Sequence, residues 1–200
     1  MTTAKIPWKG EMVEVVLLPI RPAKGTDPAL YLYEEAASAF IEMNQAAKAA
    51  GITLTVNTAF RDHEYQKRLY AEYMAAKAAG KSHPVVAVPG TSDHERGLSV
   101  DIATGVPEAL RKASRAEKAA ASPVYKWLYE NASKYGFIND VSSEPWHWTH
   151  KVDTVRPVGV SVEQHEVKKA ATEAAKKGGS ALLLLGGIGL AWLVFGRGRG

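Results

Sequence analysis

The stretch SDHERGLSVDI, residues 92–102, sets His94 and Asp101 on either side of Gly97, with six residues between them. Leu98, Val100 and Ile102 alternate with Ser99 and Asp101, which is the period of a strand with one buried face. With the aliphatic residues in the core, Asp101 projects from the opposite face, into a cleft or into solvent. His94 then sits on the loop just before the strand. Two readings stay open at this point: two ligands of one metal, or a surface histidine beside a strand-end acid.

Working outward, ITLTVNT (residues 52–58) alternates Ile52, Leu54 and Val56 against Thr53, Thr55 and Asn57, a second half-buried strand. Arg61 stands where that strand ends. Asp62 is placed to cap a helix over residues 63–79 that Gly80 stops, so Gln66 lies in its first turns, close to Arg61. Upstream, Asp27-Pro28 pairs a capping residue with a proline at the first helical position, and Gly51 closes the run, predicting a helix over residues 28–50. Downstream, Pro107 starts a helical stretch, and Ser122-Pro123 starts another that turns Val124, Trp127 and Leu128 inward and ends at Gly136. Residues 137–150, FINDVSSEPWHWTH, finish as loop and strand. The fold class expected is α+β, a small antiparallel sheet with flanking helices.

Comparable chemistry recurs in EPWHW, residues 144–148, where Trp146 and Trp148 flank His147 and alternation sends the imidazole to the face opposite both indoles. Two histidines and one aspartate form a valid open zinc site, with a fourth position left for water. Glu144 could stand beside that water as a base. Each residue also has an ordinary reading: His94 as an exposed loop residue, Asp101 as a capping acid, His147 as a histidine packed between aromatics. Arg61 reads equally as a strand-end surface charge, Gln66 as an exposed helical side chain and Ser92 as a turn former. His63, His83, His150 and His165 are taken as surface or structural.

The composition narrows the classes. Residues 1–150 carry 17 Lys+Arg against 17 Asp+Glu, and residues 151–200 carry 8 against 4, so the whole +4 balance lies in the tail. A nucleic-acid binder needs a basic stripe on its folded part, and no nucleic-acid partner is expected. The absence of cysteine excludes a disulfide framework, a thiolate zinc site and a cysteine nucleophile. The N-terminal residues show no signal peptide. Residues 162–177 read as a polar, alanine-rich helix, and residues 181–195 are uniformly apolar, spanning about 22 Å as a helix. The organisation expected is a domain over residues 1–155, a polar stalk over 156–179, a transmembrane helix over 180–196 that enters a lipid bilayer, and a basic end at 197–200.

The chain order AFRDHEYQ, PGTSDHERGLSVDI, WLYENASKYGF, EPWHW resembles the zinc D-alanyl-D-alanine carboxypeptidases and dipeptidases of the vancomycin-resistance type and the related phage L-alanyl-D-glutamate peptidases. The resemblance runs from residue 52 to residue 150. It implies that His94, Asp101 and His147 hold one Zn2+ per chain, that Glu144 is the catalytic base, that Arg61 stabilises the oxyanion, and that Ser92 and Gln66 place a peptidoglycan stem peptide. Two departures stand out: only INDVSS separates Phe137 from Glu144, where the family commonly has a longer segment, and His150 stands where a tyrosine is usual. The function expected is cleavage of a stem-peptide bond next to a D-amino acid, as a D,D-carboxypeptidase or an L-alanyl-D-glutamate endopeptidase. It is expected to be membrane-anchored, in a bacterial envelope or the membrane of a phage virion. The alternatives are a cytoplasmic D-Ala-D-Ala dipeptidase and a non-catalytic zinc-containing binding module, against which the retention of Glu144 and Arg61 speaks.

Overall fold

The computed structural model describes residues 1–21, 24 and 28–176. Strands β1 (Thr2–Trp8) and β2 (Glu11–Arg21) form an antiparallel hairpin. Lys9 and Gly10 both take positive φ, 50° and 88°, between them. That two-residue turn matches the right-handed twist of the flanking strands, and a glycine lowers its cost. Ile6, Val15 and Leu17 are buried. The third strand of this sheet is β3 (Leu30–Tyr33), antiparallel to β2.

That strand occupies the start of the helix expected over residues 28–50. The helix, α1 (Glu34–Ala49), begins at Glu34, and its N-cap, Tyr33, makes no side-chain capping bond. The local proline signal lost to a pairing that no local pattern records: Leu30, Tyr31, Leu32 and Tyr33 are the β-prone residues that extend the edge of β2. Asp27, the expected cap, lies outside the described residues. Ala36, Ala37, Phe40, Met43 and Ala47 form the buried stripe of α1, at helical spacing.

The second sheet is four-stranded and antiparallel, in the order β4-β5-β7-β6: β4 (Val56–Thr58), β5 (Ser99–Ile102), β6 (Phe137–Ile138) and β7 (His147–His150). The alternation over residues 52–58 holds in burial, with Leu54 and Val56 buried, although only its last three residues join the ladder. Phe40 of α1 meets Phe137 of β6 edge-on, with ring centroids 6.1 Å apart, and ties the two sheets into one core. Burying a phenylalanine of this kind stabilises a fold by roughly 1.5–3 kcal/mol.

Three further helices belong to this unit. α2 (His63–Ala78) starts at Asp62, whose carboxylate accepts from the Tyr65 N–H at 2.8 Å. The stretch after Pro107 is a short 3-10 turn, Glu108–Leu110, instead of the expected helix. A reciprocal capping box between Ser114 and Glu117 starts α3 (Arg115–Ala121) further on. Ser122 caps α4 (Pro123–Asn131), as expected, but the helix turns Tyr125 inward with Leu128, leaving Val124 and Trp127 half-buried. Tyr125 is drawn in by Trp148 of β7, 6.0 Å between ring centroids.

Residues 1–152 form one compact unit and residues from 153 onward a second. In the second, α5 (Val162–Lys176) follows Ser161, whose hydroxyl accepts from the Gln164 N–H while Gln164 accepts from the Ser161 N–H. The expected transmembrane helix, residues 180–196, and the basic end lie outside the described residues. Among the described residues no helix is long and apolar enough to cross a membrane, so the expected membrane anchoring and localisation are corrected to unsupported. α5, which was read as polar, carries Glu163, Glu166, Lys168, Lys169, Glu173 and Lys176, and each would be costly in hydrocarbon.

Candidate metal centre

The register of β5 on β7 builds the centre of the site. Asp101 is directly opposite His147, Val100 opposite Trp148 and Ser99 opposite Thr149. Since side chains alternate along a strand, Ser99, Asp101, His147 and Thr149 share one face, and Val100 and Trp148 share the other, in the core. A one-residue slip would send His147 into the core, and the aliphatic and indole packing resists that. Trp146 precedes the strand: it is half-exposed beneath the Arg111 guanidinium, 4.5 Å from ring to cation, and does not join Trp148 in the core.

His94 reaches the same point from the loop before β5. Its Nδ1 lies 2.8 Å from the Ala59 carbonyl oxygen. A carbonyl only accepts, so Nδ1 carries the hydrogen and Nε2 is left with its lone pair toward Asp101. The loop can bend back because Gly97 has φ +67° and passes so close to β3 that an added Cβ would lie 2.8 Å from the Tyr33 nitrogen. Tyr33 N–H donates to the Gly97 carbonyl at 2.9 Å, and Phe60 N–H to that of Tyr31. β3, the strand missed in the sequence, therefore holds up both sides of the site.

His94 Nε2 is 3.3 Å and His147 Nδ1 is 3.1 Å from the same Asp101 oxygen. One donor atom from each of the three residues falls within 4.8 Å of the others. Burial works against the Asp101 anion, but the charged forms of His147 and His94, which carry a hydrogen on both nitrogens, outweigh it by hydrogen bond and by charge and hold the carboxyl well below the usual carboxylate range. Burial likewise opposes a charged His147 ring, yet Asp101, with Asp140 and Glu144 adding, raises it above the ordinary imidazole value. The cluster thus draws positive charge to its centre. Two nitrogens and one carboxylate oxygen, nearly buried and converging, are the donor set of an open zinc site, and the residues present fit the ion.

Glu144 stands at the head of a tight turn whose closing bond runs from the His147 N–H to the Glu144 carbonyl at 3.0 Å, and it is near enough to His147 to raise its titration. The turn is pinned from three directions. Asn139 Nδ2 donates to the Glu144 and His147 carbonyls at 2.8 and 2.7 Å. Arg111 Nε donates to the Ser143 carbonyl, and the buried Lys118 ammonium to that of Ser142.

Arg61 approaches from the end of β4. Its N–H donates to the His94 carbonyl at 3.1 Å, and its Nη1 to Gln66 Oε1 at 2.8 Å. Gln66 is fully buried, and its Nε2 donates to the Ala87 carbonyl at 2.7 Å. Gln66 therefore orients Arg61, and its amide is not open to a substrate as the sequence reading expected. Ser92 is buried, with its backbone fixed by Glu95, whose carboxylate accepts from the Ser92 and Gly90 N–H groups and contacts His63 Nδ1 at 2.6 Å. Sequence reasoning missed Glu95, Asn139, Thr149 and Asp140. Charge and amide type gave no signal there, because Glu95 and Asn139 hold backbone groups of the loops around them, and Thr149 and Asp140 meet only through the fold.

The family described as "VanY: D-alanyl-D-alanine carboxypeptidase" matches residues 29–153. Among curated proteins, a D-alanyl-D-alanine carboxypeptidase of Enterococcus faecalis is 33% identical over 129 residues, which cover 54% of this chain and 44% of that protein. One of Enterococcus faecium is 35% identical over 132 residues, covering 60% and 38%. The chain thus spans less than half the length of these relatives. A solved structure of a variant of the vancomycin-resistance D,D-pentapeptidase VanY, in complex with Zn(II), is 27% identical, with a TM-score of 0.48 and coverage of 88% of this chain and 90% of that one.

Proposed function

The chain belongs to the VanY family of D-alanyl-D-alanine carboxypeptidases, and on that premise we propose that residues 1–155 act as a zinc-dependent peptidase that removes the terminal D-alanine from a peptidoglycan stem peptide. The observation that carries the reading is the convergence of His94, Asp101 and His147 donor atoms within 4.8 Å of one another.

In this reading His94 Nε2, Asp101 Oδ1 and His147 Nδ1 would hold the ion. Zinc bound there would supply a Lewis acid that polarises the scissile carbonyl and lowers the pKa of a water toward about 7. Glu144, held in its turn by Asn139, Arg111 and Lys118, takes the proton of the attacking water and returns it to the departing amine. Arg61 offers its guanidinium to the oxygen that gains negative charge. Its fork is already oriented by Gln66, so little reorganisation is needed when the charge develops. Ser92, on the loop that Glu95 fixes, contacts the peptide.

The test is to incubate the full chain with a synthetic stem pentapeptide ending in D-Ala-D-Ala, and with purified peptidoglycan, and to identify the fragments by mass spectrometry. Zinc-dependent loss of the last residue is expected. A cut between L-Ala and D-Glu would make the protein an endopeptidase, and binding without any cut would make it a zinc-containing recognition module.

A further inference from the structure

His147 has a second nitrogen, and the chain of groups behind it reaches the surface. Nε2 lies 3.2 Å from Thr149 Oγ1, Thr149 Oγ1 lies 3.0 Å from Asp140 Oδ1, and Ser99 Oγ lies 2.8 Å from the same threonine oxygen. Thr149 and Ser99 are buried, and Asp140 is a quarter exposed and held at its other oxygen by Lys151 Nζ at 2.7 Å. The direction of each bond follows from its end. An ionised carboxylate accepts only, so the Thr149 hydroxyl gives its one hydrogen to Asp140 and must accept from its other two neighbours. Ser99 is one donor. The other is His147, which can donate only if Nε2 carries the hydrogen.

We infer that Thr149 and Asp140 are positioning residues that fix the Nε2–H tautomer of His147 and so present its Nδ1 lone pair beside Asp101 and His94. This rests on the metal reading of the site and deepens it. The arrangement mirrors that of His94, where the Ala59 carbonyl fixes the opposite tautomer and presents Nε2. Each ring is thereby locked with a different nitrogen inward. The β5–β7 register brings about the second case, because Thr149, two residues along β7 from His147, shares its face and sits opposite Ser99. Groups that orient a metal-bound histidine in this way typically contribute 10- to 100-fold to metal affinity.

The experiment is Zn2+ affinity of the full chain, by competition with a chromophoric chelator at one fixed pH, with the fold of each variant checked by thermal unfolding of the metal-free form. Thr149→Val removes the hydroxyl at nearly constant volume and should weaken zinc binding about 10- to 100-fold. Thr149→Ser restores the hydroxyl and should return affinity to within about threefold of the parent, a rescue that lost packing would not show. Asp140→Asn should also weaken binding, and in the Thr149→Val background it should add little, because its influence passes through the threonine. If Thr149→Val does not fold, the comparison of Asp140→Asn with Thr149→Ser decides. Parent affinity in both Thr149→Val and Asp140→Asn would overturn the inference, as would Thr149→Ser falling as far as Thr149→Val. Loss of tight zinc binding in His147→Ala alongside either result shows that the metal reading stands on its own, whereas unchanged binding in His147→Ala overturns both.

Discussion

The two sides of the site are built differently. On the metal side, Asp101 and His147 are cross-strand partners in a sheet whose other face is core, and the backbone register holds them. On the Arg61 side, α2 buries only Gln66, and Val85 and Val88 in the following loop are exposed. There a single buried amide joins Arg61 to that loop through Ala87. A ladder fixes direction through many bonds at once, whereas a side-chain link fails when one partner is removed. Errors on the metal side should therefore cost everything together, and errors on the Arg61 side should cost turnover while the metal stays.

The largest effect should come from Asp101→Ala. Both histidines lean on one Asp101 oxygen, so stoichiometric zinc, measured by atomic absorption, and peptidase activity should disappear together. Retention of the metal would break the comparison at its stronger end. Next comes Glu144→Gln, which keeps size and hydrogen bonding but cannot take a proton. Zinc should remain, and turnover should fall at least about a hundredfold.

Gln66→Leu tests the weaker side. It removes the acceptor for Arg61 and the donor to Ala87, and a lost hydrogen bond to a charged group is worth about 1.5–3 kcal/mol, so kcat should fall about tenfold or more with full zinc content. Loss of zinc in this variant would mean that the two sides are not separable. The smallest effect belongs to Val85→Ser, at an 82% exposed position, where unfolding free energy by urea titration should stay within about 0.5 kcal/mol of the parent. A larger loss would show that the exposed loop contributes packing.

The same division governs what the sequence disclosed. Residues 98–102 could be read because period two and the donor types survive in a one-dimensional string, as they do for His147 and Trp148 though not for Trp146, and the Asp62 cap marked α2 to within a residue or two. The strand β3 could not, since Asp27-Pro28 is a helix signal and residues 30–33 pair with β2, a strand that itself went unread. The hairpin of β1 and β2 likewise went unread, although Lys9-Gly10 was a turn signal available to a closer reading. The burial of Gln66 could not be read, because α2 has almost no apolar stripe, and only the fold shows the glutamine bonded to Arg61 instead of open to a substrate. Glu95 and Asn139 hold loops through backbone groups, for which no residue pattern exists.

The most direct test of the metal centre is anomalous diffraction at the zinc edge from crystals of the zinc-loaded full chain. The expected result is one ion at about 2.0–2.2 Å from His94 Nε2, Asp101 Oδ1 and His147 Nδ1, with Thr149 against His147 Nε2. An ion bound through His147 Nε2 and Asp140, or no ion among these three residues at full zinc loading, would contradict the site.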